Sequence, residues 1–196
     1  LLPAAPGEPD YPILTDDALL RETEAALKDT GIAVADVEIV RLKPDTDVAS
    51  FARFFERGQR LGAKNVLVAG DDPEEARLAA TFGRLARLAA GFGLTVDLEF
   101  MPWTRVPDLT TARRIVEAAG EANGGVLIDA LHYDRSATTL ADVAALPRAR
   151  INYVQFCDGP VDYDRSDAGL IEVARRARLM PGEGGIDLAG LARVIP

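Results

Sequence analysis

The chain has 196 residues, 48% of them apolar, which allows one domain with a real core and excludes a disordered chain. Its 22 Lys and Arg stand against 31 Asp and Glu, a net charge of -9 that disfavours a nucleic-acid surface and suits retention of a cation. One cysteine, Cys157, rules out a disulfide framework, and no apolar run reaches membrane-spanning length, so a reducing, cytoplasmic setting away from membranes is expected.

Residues 1–12 are rich in Pro and read as a loop, and they lack the basic and apolar segments of a signal peptide. Thr15 or Asp16 can cap a helix that runs to about Asp29, closed by Gly31. A strand follows over 32–42, with Asp36 and Glu38 on one face and Val37 and Ile39 on the other; Pro44 ends it. The segment 48–61 reads as a helix carrying Phe51, Phe54, Phe55 and Leu61. A second strand spans 65–69 and closes at Gly70. Asp72-Pro73-Glu74-Glu75 has the make-up of a helix start, with a cap, Pro at the first position and acids in the first turn. That helix runs to about Ala90, with Leu78, Phe82, Leu85 and Leu88 at helical spacing.

Strand and helix then keep alternating: strand 94–100, helix 110–119, strand 125–131, short helix 140–146, strand 151–157 and helix 167–179, before a Gly-rich tail with a further amphipathic turn or two. Strict alternation predicts parallel strands joined by right-handed crossovers. Val96 and Leu98, like Val126 and Ile128, should meet the helices, whereas Thr95, Asp97, Glu99, Leu127 and Asp129 should form a mixed inner face. A mixed inner face points to a barrel leading to a polar site. Three strands end in potential donors: Glu99; Asp129 with His132, the only histidine, three residues on; and Gln155 with Asp158. Chemistry in parallel α/β proteins gathers at such strand ends. Oxygen and imidazole ligands there suggest one divalent-metal site. Cys157 reads as a small buried apolar residue, Phe100 and Trp103 as core or pocket wall, Arg175 and Arg176 as solvated helix residues, and Asp158 as either a fifth site residue or a loop cap.

Four segments carry a family resemblance: Asp97-Leu98-Glu99-Phe100-Met101-Pro102-Trp103, Leu127-Ile128-Asp129-Ala130-Leu131-His132-Tyr133-Asp134-Arg135-Ser136, Tyr153-Val154-Gln155-Phe156-Cys157-Asp158 and Arg178-Leu179-Met180-Pro181-Gly182-Glu183-Gly184. In order and spacing they resemble the sugar phosphate isomerase/epimerase family, whose fold is the xylose isomerase-like TIM (β/α)8 barrel. The resemblance covers about 31–190 and implies a single domain over 1–196 with five of eight strands, lacking the first two and the last; a whole barrel takes roughly 250 residues.

It further implies a divalent metal held by Glu99, Asp129, Gln155 and Glu183, with Mn or Mg preferred to Zn or Co. His132 and Arg178 would contact substrate, and Glu99 and Glu183 would exchange protons on its two faces. The implied function is isomerisation or epimerisation of a small sugar, sugar phosphate or polyol derivative, by α-proton abstraction through a metal-stabilised enediolate. Many epimerases of the family have His in place of Gln155, whereas some related dehydratases have Gln. The alternative is therefore a metal-dependent dehydratase (lyase) of a keto-polyol or dehydroshikimate-like acid. A non-catalytic small-molecule-binding barrel is the reading from another class. The implied partner is a carbohydrate-like small molecule, not nucleic acid or membrane, with homo-oligomerisation left open.

Overall fold

The computed structural model describes residues 1–3, 8 and 11–196. Of the loop expected over 1–12, residues 4–7, 9 and 10 therefore lie outside the described residues. Helix α1, Asp17–Thr30, starts where Asp16 accepts hydrogen bonds from the Ala18 and Leu19 amides and stops at Gly31, whose φ of 71° suits a residue without a Cβ. Strand β1 is Asp36–Leu42. A 3-10 turn, Val48–Phe51, leads into α2, Ala52–Arg60, which buries Phe54 and Phe55. Next come β2 (Asn65–Gly70), α3 (Glu75–Ala90), β3 (Val96–Glu99), α4 (Leu109–Ala119) and β4 (Gly124–Asp129). The remainder is α5 (Ala130–Arg135), α6 (Leu140–Ala144), β5 (Val154–Gln155), α7 (Asp167–Arg176) and α8 (Leu188–Val194).

All five strands pair in parallel and lie in sequence order, β1-β2-β3-β4-β5, like adjacent staves of a barrel. The expected division of faces is present. Val96, Leu98, Val126 and Ile128 join one large core with Phe55, Phe82, Leu85, Ile115 and Val116 from the helices. A smaller inner cluster holds Leu67, Ala69, Met101 and Leu127, with Trp103 and Tyr153 against it. Burial on this scale, at about 25 cal/mol per Å2 of apolar surface, makes the outer core the main source of stability. Among the described residues no helix is long and apolar enough to cross a membrane.

Three local expectations change. Ile39 does not share a face with Val37: the register shifts between Val37 and Val40, so Val37, Val40 and Leu42 face the helices while Ile39 turns into the inner cluster. Helix α3 is capped by Glu74, not Asp72. The Asp72 carboxylate instead grips the Arg77 guanidinium at 2.6 and 2.7 Å and accepts from the Glu74 amide, which leaves Pro73 and Glu74 in the approach to the helix. The strand expected over 125–131 ends at Asp129 and becomes helix α5 at once.

Below the strand ends the inner face is polar. Buried Asp97 accepts from Thr95 Oγ1 and Asn152 Nδ2, both at 2.7 Å, and burial pushes its carboxyl up to about 6. Gly125 sits beside this group, where a Cβ would overlap Asp97 Oδ1 and Asn152 Nδ2. Only glycine lets the two strands close around that carboxyl.

Candidate active site and metal centre at the strand ends

Parallel pairing sets Glu99 opposite Leu127, two residues before Asp129, and Asp129 opposite Gln155, so three consecutive strands end on the same side of the sheet. Glu99 and Asp129 are both buried. Asp129 does two jobs. Its Oδ1 caps α5 by accepting from the Leu131 and His132 amides at 2.8 and 3.2 Å. Its Oδ2 accepts from Arg178 Nη1 at 2.6 Å. The cap turns the chain sharply, so the residue three positions on swings back over the strand ends; this gives the Asp129–His132 spacing its physical meaning. His132 Nε2 lies 3.7 Å from Glu99 Oε1, and the ring stands edge-on to Trp103 with centroids 5.0 Å apart.

Burial dominates the electrostatics. It raises the Glu99 carboxyl well above the ordinary range, with the nearby Asp129 charge adding to the effect and Arg178 opposing it. It lowers His132 to about 4, so the imidazole is neutral at physiological pH and its approach to Glu99 is not an ion pair. Arg178 also lies 2.9 Å from Cys157 Sγ.

The residues brought together fit a divalent cation. Glu99, Asp129 and His132 each offer a ligand atom, all within 4.8 Å of one another, and all three residues are buried. His132 Nδ1 is buried without a hydrogen-bond partner, an expensive state unless something else uses the ring. Two carboxylates and an imidazole are a donor set for Mn or Zn as well as Mg. Gln155 borders the same cavity, and its amide makes only a long 3.5 Å contact with Asp36, which leaves the oxygen available.

The cavity above this group measures about 180 Å3 and is walled by Ile39, Leu67, Met101 and Trp103. Its charged lining is Glu38, Arg41, Glu99, Arg175 and Arg178. Trp103 is thus wall, and Phe100 is core. In the sequence Glu38 reads only as part of one strand face and Arg41 escapes notice, although Arg41 carries the signal that exposed Glu99, a charged side chain near a strand end. Arg175 is exposed, as expected, and also borders the cavity; Arg176 pairs with Glu172 at 3.1 Å.

Glu183 is placed apart from these residues. It is exposed, and its Oε2 accepts from the Met180 amide at 3.4 Å within the turn that follows Leu179. That turn is organised by Asp158, which settles its two readings in favour of the loop. The buried Asp158 carboxylate accepts from the Ile186, Gly159 and Gly182 amides at 3.0, 2.9 and 3.0 Å, and its backbone bridges to Leu179. These amides, the Ile186 bond foremost, hold its pKa below the ordinary carboxylate range. A depressed folded pKa gives stability that is complete above the unfolded value and lost as pH falls through the folded one. Asp158→Ala should therefore expose the segment 180–186 to limited proteolysis at neutral pH, while the native protein shows the same exposure only in acid. Equal resistance of the two at neutral pH would remove Asp158 from this role.

Comparison with known proteins places these features. The family described as "Xylose isomerase-like TIM barrel" matches residues 3–195. A 3-dehydroshikimate dehydratase of Pseudomonas aeruginosa is 35% identical over 150 residues, covering 73% of this chain and 23% of that protein. One from Pseudomonas putida is 27% identical over 207 residues, covering 95% of this chain and 32% of the relative. The chain thus spans about a quarter to a third of the length of the curated relatives it matches. Among solved structures, a xylose isomerase-like TIM barrel/4-hydroxyphenylpyruvate dioxygenase fusion protein aligns with a TM-score of 0.80 at 24% identity, over 90% of this chain and 30% of that one. IOLI protein with a bound zinc atom aligns with a TM-score of 0.74 at 18% identity, over 91% and 68%. A family match over almost every residue, on a sheet of parallel strands with donors at their ends, shows that the chain belongs to the xylose isomerase-like TIM barrel family.

Proposed function

We propose that this chain carries the active site of a divalent-metal-dependent dehydratase that removes water from a cyclic keto-polyol acid of the 3-dehydroshikimate kind. The observation that carries the reading is a buried, high-pKa carboxylate, Glu99, at the floor of a ring-sized cavity in a chain 35% identical to a 3-dehydroshikimate dehydratase. Glu99, Asp129, His132 and Gln155 are the proposed cation ligands, with Mn preferred because imidazole joins the oxygen donors. When bound, the cation supplies positive charge to the substrate's carbonyl oxygen.

The chain's own residues do the rest. Glu99 takes the proton from the carbon α to the ketone. The C–H pair becomes the new C=C bond as the β-carbon to oxygen bond breaks. The departing hydroxide takes the same proton back from Glu99 and leaves as water. His132, neutral and steadied by Trp103, orients a substrate hydroxyl, and Arg178 holds Asp129 and a substrate oxygen in turn. A single base suffices for this elimination. Epimerisation needs a second base on the opposite face, and the candidate, Glu183, serves there only if the 180–183 turn closes over the cavity. That requirement ranks the isomerase/epimerase reading second.

The test is to supply 3-dehydroshikimate to the purified protein with and without Mn and follow the aromatic absorbance of the dehydrated acid. Metal-dependent loss of water is the expected result. Exchange of the α-proton with solvent, or a new epimer, without loss of water would turn the reading to the isomerase.

A further inference from the structure

We infer that Arg175 is the specificity-determining residue that receives a substrate carboxylate at the cavity rim, which rests on the dehydratase reading above. Three guanidinium groups border the cavity: Arg41, Arg175 and Arg178. Two already face carboxylates of the protein. Arg41 Nη1 is 2.7 Å from Asp71 Oδ2, and Arg178 Nη1 is 2.6 Å from Asp129 Oδ2. Arg175 has no ion-pair partner among the described residues, and its neighbour Arg176 is engaged with Glu172. The rim therefore offers one cation whose charge no protein group offsets.

The opposite end of the cavity has the opposite character. Buried Glu99 lines it, with Asp129 within 4.8 Å of Glu99 in the same cluster, and Glu38 also lines the cavity. A substrate carboxylate at that end would compete with Glu99 and Asp129 for the cation they are proposed to hold, whereas at the rim it meets a guanidinium that no protein carboxylate occupies. With the anionic group at Arg175, the ring presents its ketone and hydroxyls to Glu99 and His132. The planar guanidinium fork matches a carboxylate through two parallel N–H···O bonds, so recognition fixes the ring's orientation as well as its charge. The last turn of α7 positions the fork: Ala174, beside Arg175, also lines the cavity, and Val173 is buried beneath them. A neutral sugar gains nothing from this arrangement.

Binding measurements test the assignment independently of turnover. The probes are 3,4-dihydroxybenzoate, its uncharged amide and inorganic phosphate, titrated against the Mn-loaded native protein, Arg175→Gln and Arg175→Lys. The native protein should bind the carboxylate about tenfold tighter than the amide. Arg175→Gln should erase that difference by weakening the acid alone, and Arg175→Lys should restore part of it. Mn affinity, measured in parallel, should be equal in all three proteins. A native protein without preference for the acid, or a preference that survives in Arg175→Gln, overturns the assignment. Phosphate binding that exceeds carboxylate binding and depends on Arg175 also overturns it and assigns the rim to a phosphoryl group. Absence of water loss from 3-dehydroshikimate, with the carboxylate preference intact, would instead sink the dehydratase reading and leave Arg175 as an acid-binding residue.

Discussion

Glu99→Gln is expected to lower turnover of 3-dehydroshikimate by about a thousandfold, in the middle of the range for loss of a positioned general base. The substitution keeps the shape of the side chain and removes only its ability to take and return a proton. The fold should not suffer. Burial and the Asp129 charge already favour a neutral Glu99 in the metal-free protein, so an amide of the same shape leaves the interior as uncharged as before. The thermal midpoint should stay level or rise while activity collapses, a pairing that separates chemistry from unfolding. Metal content, measured on the same sample, divides the two roles of Glu99. Retained Mn with lost turnover assigns the loss to proton transfer, and lost Mn assigns it to coordination. Near-native turnover with Mn retained would remove Glu99 from the mechanism.

Phe55→Ala should produce the largest loss of stability, about 4 kcal/mol. Phe55, on α2, is fully buried in the large core and meets Phe54 and Phe92 with ring centroids 5.6 and 6.0 Å away. Truncation removes the ring's transfer energy and leaves a cavity that stacked rings cannot close. For a chain of this size the melting midpoint should fall by about 10 °C. Phe156→Ser is the matched control: that ring is 40% exposed, and its loss should change stability by less than about 0.5 kcal/mol. Thermal denaturation followed by circular dichroism decides the matter, and similar midpoints for the two variants would contradict the assignment of the core.

The fold was legible because its signal is local and repeated. Val96 and Leu98 alternate with Asp97 and Glu99, which separates the helix-facing side of that strand from its inner face; in the next strand Leu127, between Val126 and Ile128, is apolar and only the period of two places it inward. Strand ends were less legible. Apart from Asp129 itself the run from Val126 to Leu131 is apolar, so nothing around it announces that Asp129 turns its carboxylate onto the Leu131 and His132 amides and starts a helix. The candidate site was legible where it follows from a strand end, as with Glu99, Asp129 and Gln155. It was hidden where tertiary placement decides. Arg175 and Arg176 are adjacent, equally charged and exposed residues of one helix, and only the way α7 lies against the sheet also brings Arg175 to the cavity mouth. Ile39 was hidden for a similar reason, since one irregularity of register moves a side chain to the other face.

That alternation has a consequence for how such a protein can change. The residues that hold β3 and β4 to the helices and the residues that meet the substrate occupy opposite sides of the same strands. Selection can therefore rewrite one without disturbing the other. Glu99 and Gln155 arrive on separate strand–helix units, and Asp129 and His132 share a third, so on the proposed reading a single codon at 99 or 155 changes one donor without moving the others. For an engineer, position 155 is the most permissive entry point. It is half-buried and bound by one long contact, so histidine or glutamate there could be screened for altered metal preference with little penalty in yield. The division is complete at Gln155 and incomplete at Asp129, whose carboxylate also caps α5 and would carry a folding cost if replaced.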